Sequence, residues 1–148
     1  MTITSFGENM VIKEAVSDHE ITLCWEVMKL LRPHLVREEF LFTIKEMQSE
    51  GYRLVFIEKD NRAVSAIGFR YLQFLFNGKH IYIDDLSTLL ECRGKGYGGI
   101  LLEHVHSIAR EEGYTTVTLD SGFGRHDAHR LYLNQGYKMS SLHFTLEL

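Results

Sequence analysis

Proline is almost absent from this chain: Pro33 stands alone. That excludes a proline-rich linker, and it leaves glycine and polar turns to end most helices and strands. Cysteine is nearly as scarce. Cys24 and Cys92 are isolated and form no CxxC pair, which excludes a disulfide scaffold and a cysteine-rich zinc module. Both are read as reduced thiols of a cytoplasmic protein. No apolar run approaches the ~18 residues of a membrane span, so no membrane partner is expected. The opening MTITSFGENM lacks a basic stretch followed by an apolar one, and a secretory leader is not expected either. A basic excess is also missing. The 16 Lys and Arg face 20 Asp and Glu, a net charge of −4, which argues against nucleic acid as a partner. There is no internal repeat and no low-complexity tract.

What is present suits one domain spanning residues 1–148. A chain of this size hides roughly 68–70% of its unfolded surface and needs neither metal nor disulfide to fold. Met10 to Val16 reads as a first strand. Ser17-Asp18-His19-Glu20 fits a capping box, and the helix behind it carries apolar residues from Ile21 to Leu31 until Pro33 stops it. A second helix is predicted from about Glu38 to Glu50, with Gly51 as its stop. Tyr52 to Glu58, Ala63 to Phe76 and His80 to Leu89 read as three antiparallel strands, joined by Lys59–Arg62 and by Asn77-Gly78. A helix to about Glu112 follows, then a strand from Thr115 to Asp120. Asp127 is expected to cap a short helix ending at Gly136, and Tyr137 to Leu148 to supply one or two final strands. The order predicts an α+β fold with a mixed, mostly antiparallel sheet and one β-α-β unit whose strands are parallel.

Two places carry chemistry. The first is Glu91-Cys92-Arg93-Gly94-Lys95-Gly96-Tyr97-Gly98-Gly99, which sets four glycines and two cations between an apolar strand and an amphipathic helix. Unblocked backbone N–H groups, a helix N-terminus and nearby positive charge together suit a phosphate or diphosphate. A Rossmann loop would follow the first strand of a repeating βαβ pattern, and this one follows a meander. A Walker loop would end Gly-Lys-Ser/Thr, and here Gly99 precedes Ile100. The second place is Ile81-Tyr82-Ile83-Asp84-Asp85-Leu86, where the apolar alternation slips by one residue at the two aspartates. That slip predicts a β-bulge, which would splay the strand from its parallel neighbour and free backbone groups for a ligand.

On these residues the chain resembles the GNAT superfamily of N-acetyltransferases. In that family Q/R-x-x-G-x-G/A follows a splayed strand and binds the diphosphate of acetyl-CoA. Arg93-Gly94-Lys95-Gly96-Tyr97-Gly98 matches it completely, and Ala128-His129-Arg130-Leu131-Tyr132-Leu133-Asn134-Gln135-Gly136-Tyr137 resembles the family's A-x-x-x-Y-x-x-x-G-F/Y signature. The resemblance implies the GNAT fold, with helices on both faces of the sheet and a splayed parallel strand pair. It implies acetyl-CoA as cosubstrate, no metal, and an amine acceptor, either a small molecule or a peptide amine. A homodimer is left open, and no seam for one is legible.

Roles follow from that chemistry. The resemblance places the backbone N–H of Leu86 as donor to the developing oxyanion, and Leu86, Ser87 and Thr88 along the pantetheine arm. Arg93, Gly94, Lys95, Gly96, Tyr97 and Gly98 would hold the diphosphate, and small Ala128 would let the cosubstrate pass close. Tyr132 suits the proton donor to the departing thiolate, since a phenol of pKa about 10 is protonated at neutral pH. Asp84, Asp85, Glu91 and His80 all remain open as the base that deprotonates the acceptor ammonium. Arg125 stands where many members carry an asparagine that bonds the pantetheine, so that contact is not carried over. His126 and His129 lack supporting ligands for a metal. Neither cysteine has a recognisable histidine partner, so transfer is expected to be direct, within a ternary complex. Two rival readings stay open: a non-catalytic acyl-CoA-binding or regulatory module, and an interaction protein whose glycine loop contacts a partner's anions.

Overall fold

Six strands form one sheet in chain order: β1 (Thr4–Phe6), β2 (Met10–Glu14), β3 (Arg53–Lys59), β4 (Arg62–Phe74), β5 (Gly78–Thr88) and β6 (Val117–Leu119). The computed structural model describes residues 4–6 and 9–148, and of residues 4–6 only the backbone. The leader reading at the N-terminus therefore falls largely outside the described residues. Neighbours from β1 to β5 are antiparallel, and β5–β6 is parallel. The helices are α1 (Asp18–Leu23), α2 (Trp25–Leu31), α3 (Arg37–Ser49), α4 (Tyr97–Glu111) and α5 (His126–Asn134).

The turns explain the meander. Asp60 and Asn61 hold φ of 51° and 61°, the left-handed pair that a two-residue hairpin needs, so β3 turns straight into β4. Every residue from Ala63 to Phe69 is buried, so both faces of the sheet are covered there. Leu101, Leu102, Val105 and Ala109 of α4 and Val27 and Met28 of α2 join the same core. Their spacing is that of one helical stripe each.

The capping box is present. The Glu20 N–H donates to Ser17 Oγ at 3.1 Å, and the Ser17 N–H donates to Glu20 Oε1 at 2.9 Å. The single helix predicted behind it is two. At Cys24 the backbone N–H bonds back to Ile21 at 3.0 Å, an i→i−3 bond that tightens the turn and breaks the axis. Three further expectations need correction, and one strand is new. β1 had no prediction, and β6 is only three residues long. Asp127 does not cap α5: Arg125 occupies the N-cap without a side-chain bond, and Asp127 in the first turn pairs with Arg130. Finally, Lys138–Leu148 forms no strand and all of it is exposed. Its apolar alternation suits a strand, but it joins no ladder; it meets the end of β6 through side chains, with His143 Nδ1 3.7 Å from Asp120 Oδ1.

Candidate active site

The site begins at a defect in β5. Gly68 pairs with Asp85 and Phe69 with Ile83, so Asp84 is the extra residue of a bulge. On the other side, β6 pairs with β5 only at Ile81, Tyr82 and Ile83. Beyond Ile83 the two parallel strands part, and the β6-facing edge of Asp84–Thr88 is left open. A cleft sits in that fork, lined by Arg32, Asp84, Asp85, Leu86, Asp120, Arg125, Ala128 and Tyr132 among others.

The two aspartates are held in different ways. Asp85 accepts from Tyr52 Oη at 2.8 Å and from Arg32 Nε at 3.0 Å. Arg32 also donates to the Asp84 carbonyl oxygen at 3.0 Å, which pins the bulge to the end of α2. Asp84 accepts from Arg70 Nε at 3.1 and 3.0 Å, and their closest contact is 2.7 Å. Burial pushes the Asp84 carboxyl above its ordinary range, against the pull of Arg70. Burial, then the Asp85 charge, raises the Tyr52 phenol, which therefore stays a donor to Asp85. Two carboxylates meet two guanidiniums, so the network carries no net charge. Tyr52 reaches this point only because residue 68 is glycine. A Cβ there would lie 1.8 Å from the Tyr52 hydroxyl oxygen.

The glycine loop stands at the open end of the fork. Gly94 and Gly96 hold φ of 77° and 85°, and a Cβ on either would face open space. Gly96 caps α4, and the first amide that finds a helix carbonyl is that of Ile100, donating to Gly96 at 3.1 Å. The N–H groups of Tyr97, Gly98 and Gly99 therefore have no partner within the helix and point out of its positive end. The last two glycines serve packing instead. A Cβ on Gly98 would meet Leu131 of α5 at 3.1 Å, and one on Gly99 the Gln135 side chain at 3.4 Å. Arg93 turns back, its Nε donating to the Thr88 carbonyl at 3.2 Å, which ties the loop to the end of β5. The Ser87 side chain points away from the cleft, donating to Val27 at 2.7 Å, so only its backbone is available to a ligand.

The α5 side closes the fork. Ala128 and Tyr132, one turn apart, both line the cleft, with Arg125 beside them. Burial raises the Tyr132 phenol, and the nearby Arg125 charge opposes it. A protonated hydroxyl is thereby kept at the cleft at neutral pH.

The sequence profile of the Acetyltransferase (GNAT) family matches residues 19–137. The chain belongs to the GNAT acetyltransferase family. An uncharacterised N-acetyltransferase of Bacillus subtilis, YhdJ, is 35% identical over 136 residues, covering 90% of this chain and 95% of that protein. The aminoalkylphosphonate N-acetyltransferase of Salmonella typhimurium is 39% identical over 66 residues, which is 45% of this chain and 43% of the relative. A solved GNAT acetyltransferase from Staphylococcus aureus superposes with a TM-score of 0.78 at 18% identity, covering 95% and 99% of the two chains. That likeness shows a shared fold.

In this GNAT chain the fork brings Asp84, Asp85, Leu86, Ala128 and Tyr132 together, with Arg93–Gly98 at its open end. Two proposed bases fall elsewhere. His80 is fully buried at the other end of β5, with Nδ1 2.9 Å from the Gly78 carbonyl oxygen. Glu91 is exposed and accepts from Arg62 at 2.9 Å. Sequence reading missed Arg32, Tyr52, Arg70 and Asp120 at the site. Their partners lie on distant parts of the chain, and no local pattern links them. One signal was available: an isolated glycine inside a strand, Gly68, marks a close backbone approach.

Proposed function

We propose that this acetyltransferase moves the acetyl group of acetyl-CoA to a primary amine by direct attack in a ternary complex. The observation that carries the reading is the fork itself. Unbonded amides of Tyr97–Gly99 stand at one end, and a protonated Tyr132 lines the cleft at the other. When bound, acetyl-CoA supplies an activated acyl carbon and a thiolate leaving group.

Each residue then has one task. The amides of Lys95 to Gly98, behind the left-handed Gly94 and Gly96, hold the diphosphate, and Arg93 and Lys95 add positive charge. The free edge of Leu86–Thr88 pairs with the amide groups of the pantetheine arm as a further strand would. The Leu86 N–H donates to the negative charge that develops on the thioester oxygen. Tyr132 gives its proton to the departing sulfur. Asp84, lifted by burial, takes the acceptor's proton directly or through water, while Asp85, saturated by Arg32 and Tyr52, fixes the bulge. The neutral Asp84–Asp85–Arg32–Arg70 network exerts no selection for a cationic acceptor. The relative that acts on aminoalkylphosphonates makes an amine carrying an anionic group a class worth including, with Arg125 as its partner.

The test is thiol release from acetyl-CoA against a panel of small amines, amino acids, aminoalkylphosphonates and peptide N-termini. At least one amine should turn over, and Tyr132→Phe should lower kcat by about 100-fold with little change in the KM for acetyl-CoA. Binding of acetyl-CoA with background turnover for every amine would favour the non-catalytic module instead.

A further inference from the structure

α5 carries Tyr132, yet none of its nine residues is buried. Within it, Leu131 and Tyr132 pack against the core, and Tyr137 does so just beyond its end. A helix with so little burial is placed by a few specific contacts rather than by a filled core. One contact with α4 is packing: Leu131 lies so close to Gly98 that a Cβ there would be 3.1 Å away. A second is polar and involves His106. Gly98 and His106 are eight residues apart, so both lie on the same face of α4.

The polar contact is a chain of partners. Arg110 Nη1 donates to Glu103 Oε1 at 2.7 Å, and Glu103 Oε2 lies 3.3 Å from His106 Nδ1. The other ring nitrogen, Nε2, lies 2.7 Å from the Tyr137 hydroxyl. Burial raises the Tyr137 phenol, which therefore stays a donor. Nε2 is then the acceptor, and Nδ1–H faces a carboxylate that Arg110 keeps ionised. The His106 side chain is only 14% exposed, so the chain is shielded where it meets α5. Tyr137 in turn holds Tyr132 twice. Its N–H donates to the Tyr132 carbonyl at 3.0 Å, and its ring stands 5.9 Å from the Tyr132 ring. A phenylalanine at 137 would keep both of these contacts and lose the link to α4.

Resting on the reading of Tyr132 as proton donor, we propose that His106 is a positioning residue. Fixed by Glu103, it holds the Tyr137 hydroxyl and through that ring sets where the Tyr132 hydroxyl stands in the cleft. Glu103, His106 and Tyr137 are not among the residues that line the cleft, so none of them meets the reacting atoms. Their effect is geometric. Proton donation to a departing sulfur depends steeply on the donor's distance and angle, and a donor on a lightly packed helix needs a fixed support.

The test combines thiol release from acetyl-CoA, using the most active amine of the panel, with amide hydrogen exchange of the protein alone. His106→Ala and Tyr137→Phe should each lower kcat about 10-fold and keep the KM for acetyl-CoA within about twofold. Both should speed exchange across residues 128–137 while urea unfolding shows a folded chain. The two together should lose no more than either alone, because they cut one link. His106→Gln, whose side-chain oxygen can accept from the Tyr137 hydroxyl, should recover most of kcat. In a Tyr132→Phe background, His106→Ala should change the remaining rate by less than about twofold, whereas general loosening of the fold would lower it again. Normal kcat in His106→Ala and Tyr137→Phe, beside a large loss in Tyr132→Phe, would overturn the positioning role alone. So would an undiminished effect of His106→Ala in the Tyr132→Phe background. Background turnover of every amine, or no loss on Tyr132→Phe, would overturn the reading of the site and this inference with it.

Discussion

Gly68 shows how far a single residue reaches. Its missing side chain admits the Tyr52 ring, Tyr52 bonds Asp85, and Asp85 with Arg32 holds the bulge that opens the fork. Gly68→Ala should displace Tyr52 and cost about 1–3 kcal/mol in urea unfolding, the range for overpacking a filled core. Tyr52→Phe removes only the hydroxyl and should cost about 1–2 kcal/mol, because a half-buried carboxylate oxygen loses its donor. Asp84 yields a pH prediction. As a base it must be ionised, and burial raises its pKa, so kcat/KM should climb with pH through a midpoint above the ordinary carboxylate value of about 3.9. Asp84→Asn should lose about 100-fold in kcat/KM and abolish that limb. A pH–rate profile of both proteins checks it; an unchanged limb would move the base elsewhere.

At the scale of elements, boundaries follow local chemistry closely. The Ser17 capping box, the stop at Pro33, the left-handed Gly51, Gly113 and Gly136, and the bulge at Asp84–Asp85 were all legible, because each is written within a few consecutive residues. What failed depends on distant groups. The break at Cys24 suits a fully buried side chain between two core-facing turns, and the tail alternates like a strand yet joins no ladder. Ser17→Ala should cost about 1 kcal/mol. Glu20 adds a sign. The Ser17 N–H holds its carboxyl below the usual 4.5, so its contribution is full above that pH and fades as the pH falls through the folded value. The stability gap between wild type and Glu20→Ala, from urea melts, should therefore narrow on acidification below the usual 4.5.

Over the whole molecule, the sheet is a frame that splits at one point. Antiparallel pairing from β1 to β5 makes a rigid platform, while three residues of β6 hold the other prong. Element order and the glycine loop disclosed this plan, since a strand–loop–helix–strand unit appended to a meander admits few topologies. The charge network behind the bulge stayed hidden because Arg32, Tyr52, Arg70 and Asp85 come from four separate stretches of the chain. The backbone amides at the start of α4 are proposed to grip a diphosphate. Calorimetric titration with CoA and with pantetheine, which lacks the diphosphate, reads that grip directly. CoA should bind at least 100-fold more tightly, a difference of about 2.7 kcal/mol. Equal affinity for the two, or no binding of CoA, would contradict it.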